Sequence, residues 1–222
     1  MKIILLPGMD GTGLLFKPLL PLLSIPQEVI PFNSAPHQTY ESIYAYVKAQ
    51  LPNEEFYLLA ESFSGPIAAR LASENIQYLK GIIFVATFLS CPSRPLVSFA
   101  RKLSLKKLLK IPFSSFFIRK FLIGSRFPLE LLYKAISEVT EFEFKNRLSA
   151  LESLNEKPVK IKSNIPVLYL YAENDYLVSE NHISEFVSLF ANVLVCHVKG
   201  THFLLQSNPE GCAKQINDFI ST

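Results

Sequence analysis

Three polar side chains, far apart in the chain, occupy matching places relative to apolar runs. Ser62 sits in Ala60-Glu61-Ser62-Phe63-Ser64-Gly65, between the apolar run 56–60 and a helix-patterned stretch. A serine at a sharp strand-to-helix turn is held with its hydroxyl exposed above a sheet, and small neighbours let the helix pass close to the strand. The same residue also suits an ordinary helix N-cap. A hydroxyl is a poor nucleophile at neutral pH, so it needs a base, and the base needs an orienting carboxylate. Asp175 lies four residues beyond the apolar run 165–171, and His202 four residues beyond the run 193–198. Glu173 is a rival for the acid position, with Asp175 preferred. His197 falls within a strand run, and His37 and His182 lack a comparable setting.

Attack on an acyl carbonyl builds negative charge on oxygen, which two backbone N–H groups can stabilise. Phe63, the residue after the serine, would supply one. The loop Gly8-Met9-Asp10-Gly11-Thr12-Gly13 would supply the other, from Met9 or alternatively Asp10. The same loop invites a phosphate-binding reading, but it lacks the lysine of the P-loop and the spacing of the dinucleotide fingerprint.

Parallel strands would bring these residues together. Lys2–Leu6 is short, almost wholly apolar and suited to a strand buried on both faces. Further strand runs lie at 28–32, 56–60, 80–87, 165–171 and 193–198, with helix-like stretches at 14–23, 39–51, 63–75, 180–190 and 209–220. Thr39 is a plausible N-cap. The alternation breaks at 92–158, which carries helical periodicity and no strong strand run. The expected fold class is α/β: a six-stranded, mostly parallel sheet, with core segments 1–91 and 159–222 and a helical cap inserted at 92–158.

The chain has 222 residues, 49% hydrophobic and 18% charged, with a net charge of +3. That balance excludes extended disorder and is too weak to argue for nucleic acid. Nine basic residues and no acidic one fall between Arg94 and Arg126, leaving a net charge of −6 elsewhere. Eight of the 18 phenylalanines fall between residues 99 and 144. A basic, Phe-rich insert suits a lid that binds an acyl chain and attracts an anionic partner: coenzyme A esters, an acyl carrier protein or an anionic lipid surface. It equally suits a cap packed on the core with a solvated lysine face. Cys91, Cys196 and Cys212 are an odd, scattered set with no metal-like spacing, which reads as a reduced, cytoplasmic setting. The apolar run at 3–6 is shorter than the roughly 7–15 residues of a secretory signal, and no run reaches the roughly 18 residues of a membrane helix.

The order Ser, Asp, His and four segments resemble the α/β-hydrolase superfamily over nearly the whole chain: LPGMDGTG at 6–13, AESFSG at 60–65, AENDYLV at 172–178 and GTHFLLQSNPE at 200–210. The resemblance implies Ser62 as nucleophile, Asp175 as acid, His202 as base and a sheet of order 2-1-3-4-5-6. It also implies that the family's two usual N-terminal strands are missing. The departures are Ala60 and Ser64 where glycines are usual, and Pro7-Gly8-Met9 in place of a His-Gly loop. The expected activity is hydrolysis of a carboxylic ester or thioester through an acyl-enzyme, with no metal or organic cofactor. An acyltransferase with the same residues and a non-enzymatic binding module are the alternatives.

Overall fold

The computed structural model describes residues 1–104, 129–154 and 163–222. Strands β1 (Lys2–Leu6), β2 (Gln27–Val29), β3 (Phe56–Glu61), β4 (Leu79–Val85), β5 (Val167–Asn174) and β6 (Val193–Thr201) form one sheet of order β2-β1-β3-β4-β5-β6. Every pairing is parallel. This is the expected order.

Alternation along the strands fills two apolar layers. Ile4, Leu6, Leu58, Ala60, Ile82 and Phe84 face one side. There they meet α1 (Tyr40–Lys48), α2 (Gly65–Ser73) and Phe186 and Leu189 of α6 (Ile183–Leu189). Ile3, Leu5, Leu59, Ile83 and Val85 face the other side, against Phe16, Leu19, Leu204 and Leu205 of α7 (Leu204–Ser207) and the buried face of α8 (Pro209–Ile220). The helix-like stretch 14–23 folds as two short 3₁₀ turns, Leu14–Phe16 and Leu20–Leu22. Pro18 and Pro21 each remove a backbone donor there, so no α-helix propagates. Thr39 caps α1, its side chain accepting from the Ser42 N–H.

Three described helices lie in the segment between β4 and β5: α3 (Arg94–Lys102), α4 (Leu129–Ser137) and α5 (Glu141–Glu152). Thr140 and Glu143 form a reciprocal capping box at the start of α5. Arg101 pairs with Glu152, and Arg94 donates to the Glu152 and Leu154 carbonyls, tying α3 to the end of α5. Of the nine basic residues of 94–126, three are described, and Arg94 and Arg101 thus bond within the insert. The other six, Lys106, Lys107, Lys110, Arg119, Lys120 and Arg126, lie outside the described residues. Leu132 and Ala135 of α4 pack on Leu15, so the insert reaches the loop after β1. Among the described residues no helix is long and apolar enough to cross a membrane.

The turn from β3 into α2 is the tightest crossing. A Cβ placed on Gly65 would lie 2.1 Å from Thr87 Oγ1 and 2.9 Å from the Phe88 carbonyl oxygen. Gly65 therefore serves close approach. Gly65→Ala is expected to cost about 1–3 kcal/mol, the usual range for overpacking, measured as a shift of the urea midpoint at unchanged slope.

Candidate active site

Ser62 follows β3 directly and takes φ 49, a left-handed conformation that a non-glycine residue holds at a cost of about 1 kcal/mol. Neighbouring bonds fix it there. The Thr87 hydroxyl donates to the Ser62 carbonyl. The Ser64 hydroxyl donates to the Leu6 and Glu61 carbonyls, at 2.9 Å each, which ties the ends of β1 and β3 together beneath the turn. Ser64 is fully buried, so the residue standing where glycine is usual is a structural strut.

Ser62 Oγ lies 2.9 Å from His202 Nε2, and His202 Nδ1 lies 2.8 Å from Asp175 Oδ2. The other carboxylate oxygen of Asp175 accepts from the Leu177 and Val178 amides at 2.8 and 2.9 Å. Asp175 is thus anchored on both oxygens, with its side chain fully buried. Burial lowers the basicity of His202, but the charge and hydrogen bond of Asp175, with the charge of Glu61, outweigh it and leave its pKa above 6.5. Glu173 is exposed at the end of β5 and is not the carboxylate beside the imidazole. His182 pairs with Glu185, and His197 stacks edge-on against Tyr171 away from the site.

The loop after β1 borders the serine: a Cβ placed on Gly8 would lie 3.7 Å from Ser62 Cβ. A turn closed by the Gly11 N–H on the Gly8 carbonyl, at 3.1 Å, shapes it. Met9, Asp10 and Phe63 line the same cavity as Ser62 and His202. That cavity holds about 370 Å³, and its walls are mainly apolar: Leu15, Val97 of α3, Leu132 and Ile136 of α4, and Leu148 and Leu151 of α5 among them. Among the described residues, no group of three or more His, Cys, Asp or Glu side chains is placed to hold a metal. Cys91, Cys196 and Cys212 are all free thiols.

Two buried polar groups of the site carry only a faint mark in the sequence. Glu61 ends an apolar strand and is 4% exposed. It accepts from Gln206 Nε2 at 2.9 Å, while Gln206 Oε1 is buried with no partner. Burial pushes the Glu61 carboxyl up to about 7; the Gln206 bond opposes this, the charge of Asp10 adds to it and His202 opposes it. Protonated Glu61 can return a hydrogen bond to Gln206 Oε1, closing a reciprocal acid–amide pair. The clue in the sequence was a charged residue at the buried end of FYLLAE.

No protein-family model matches the chain, and no curated protein matches it. Solved structures do. The chain is similar to an enol-lactonase from Burkholderia xenovorans, with a TM-score of 0.80 at 14% identity over 100% of this chain and 91% of that one. An esterase from Exiguobacterium antarcticum gives 0.79 at 11% identity, over 100% and 92%. A lipase-esterase related protein from Clostridium acetobutylicum gives 0.77 at 15% identity, over 98% and 93%. The chain therefore has the α/β-hydrolase fold.

The Glu61 carboxyl makes stability depend on pH. Its folded pKa of about 7 lies above its ordinary 4.5, so the native state holds a proton that the unfolded chain releases between those values. Stability therefore falls as pH rises from about 4.5 to about 7, by about 3 kcal/mol for this group. Glu61→Gln, an isostere of the protonated acid, is expected to flatten that fall. Urea unfolding of both proteins at pH 5 and pH 8 measures it: the variant should gain on the wild type at pH 8.

Proposed function

We propose that the protein is a serine hydrolase that cleaves carboxylic esters or thioesters through an acyl-enzyme on Ser62. The observation that carries this reading is the continuous chain Ser62–His202–Asp175 at 2.9 and 2.8 Å, with the serine on a left-handed turn above the sheet. His202 Nε2 takes the proton as Ser62 Oγ bonds to the carbonyl carbon. The carbonyl π electrons move to oxygen, where the amides of Phe63 and Met9, or Asp10 in place of Met9, receive the charge. Collapse breaks the bond to the leaving alcohol or thiol, which takes the proton from His202. Water then attacks the acyl carbon, His202 accepts its proton, and Ser62 leaves with that proton as the acid is released.

The apolar cavity supports an acyl chain as the substrate part that binds. Its volume falls in the usual range of small-molecule sites, about 300–1,000 Å³. Residues 92–158 act in this reading as a cap over a core of 1–91 and 159–222, because α3, α4 and α5 supply much of the cavity wall. Docking of a coenzyme A ester, an acyl carrier protein or an anionic lipid surface would fall to the basic residues of 94–126. A cytoplasmic setting agrees with three free thiols.

Two measurements test the reading. A fluorophosphonate should add once to the wild-type protein at Ser62 and not to Ser62→Ala, read by intact mass. A folded wild-type protein that takes no adduct sinks the proposal. With medium-chain p-nitrophenyl esters, kcat/KM should fall on the acid side at a midpoint above 6.5, because only neutral His202 accepts the proton and its pKa is raised. Glu61→Gln removes a charge that raises it, so the midpoint should move down.

A further inference from the structure

Arg147, on α5, is the largest fully buried side chain of the described residues, and among those residues no carboxylate lies within ion-pair distance of its guanidinium. Nη1 donates to the Met9 and Asp10 carbonyls at 3.0 and 2.7 Å. Nε donates to Gln38 Oε1 at 2.7 Å and Nη2 to Asn33 Oδ1 at 2.8 Å. Gln38 in turn donates to the Phe32 and Ala35 carbonyls, at 3.0 and 3.3 Å, and the Phe32 N–H donates to the Gly11 carbonyl at 2.7 Å. A Cβ on Gly11, at φ 67, would lie 2.4 Å from Nη1, so the glycine makes room for the cation. Burial lowers the pKa of Arg147, and the nearby charges of Glu143 and Asp10 oppose that, while the dipoles bonded to the guanidinium offset the cost of burying it.

The two clamped carbonyls belong to the loop beside Ser62. In a trans peptide the N–H points opposite the C=O. Holding the Met9 carbonyl toward Arg147 therefore turns the Asp10 N–H away from it. The Gly8–Gly11 turn likewise sends the Met9 N–H out of the turn. Both candidate oxyanion donors are thus oriented by bonds on the far side of the loop.

We infer that Arg147 is a positioning residue: from the inserted helix α5 it clamps the Met9 and Asp10 carbonyls and so aims the loop amides at the oxyanion of the Ser62 reaction. This rests on the serine-hydrolase reading for its consequence, while the clamp itself is independent of it. The insert then completes the catalytic loop as well as walling the cavity.

The test uses Arg147→Lys, Arg147→Met and, as a milder variant that keeps the guanidinium, Asn33→Ala. Hydrogen exchange reads the clamp without any substrate. Peptides covering 7–14 should exchange at least about tenfold faster in each Arg147 variant, and those of the β3–β4 core should not; unchanged exchange in 7–14 overturns the clamp. Should the Arg147 variants fail to fold, faster exchange in 7–14 of Asn33→Ala supports the clamp and an unchanged rate overturns it. Kinetics read the consequence. Loss of one oxyanion donor costs about 10²–10³-fold in kcat, so Arg147→Met should lose about 10²-fold with KM within about twofold, and Arg147→Lys should recover part. A folded Arg147→Met with wild-type kcat, or one whose loss lies in KM alone, overturns the positioning role. Failure of the underlying reading looks different: the wild type itself would take no fluorophosphonate on Ser62.

Discussion

Parallel pairing of all six strands is the constraint from which the site follows. It puts every strand's C-terminal end on one edge, and the register then decides which residues emerge together. Leu6 pairs with Ala60, so the loop after β1 begins level with the turn at Ser62. Asn174 pairs with Thr201, so the next residues, Asp175 and His202, leave the sheet side by side. No long-range search by loops is needed to bring the three side chains within hydrogen-bond reach. The sheet does it, and its cohesion comes from the apolar layers on both faces.

That logic explains what could be read from the residues and what could not. Buried parallel strands are near-continuous apolar runs, so KIILL, FYLLA and IPVLYLY stand out, while the strand order was implied by the resemblance to the α/β hydrolases rather than by the runs themselves. Strand ends were harder. β5 runs to Asn174 and β6 to Thr201, past the apolar runs, because paired backbone continues after burial has ceased: Glu173 and Asn174 are strand residues and exposed. Asp175 and His202 thus follow their strands directly. The role of Ser64 was hidden for a different reason. Its hydroxyl bridges the carbonyls of two separate strands, a contact that no local spacing encodes. Arg147 lies 136 residues from Gly11 and reaches it only through folding of the insert onto the core.

The site is an apolar cavity that Ser62 and His202 line, with further polar groups bonded behind it. Arg147 approaches the loop from behind, and Asp175 is held by two amides and the imidazole. Apolar walls weaken the screening of charges inside, and the bonds behind them fix dipoles before substrate arrives. Apolar walls serve binding, and the shell behind them serves orientation.

Glu61 and Asp175 are two buried carboxylates held by different sets of partners within one site. Asp175 receives three donors, one from His202 and two from backbone amides. Glu61 receives one, from Gln206 Nε2, while Gln206 Oε1 is buried without a donor. Burial raises the Glu61 carboxyl to about 7, and its single donor only partly offsets that. The Glu61 charge also reaches His202, so adding a proton to Glu61 removes part of what holds the imidazole's pKa up. The two titrations are therefore linked: protonating either group makes protonation of the other harder or easier by the same free energy. Here the opposite signs of carboxylate and imidazolium fix the direction. Glu61 in its acid form favours neutral His202, the form that can accept a proton from Ser62, and burial is what biases Glu61 toward it, against the pull of the Gln206 bond.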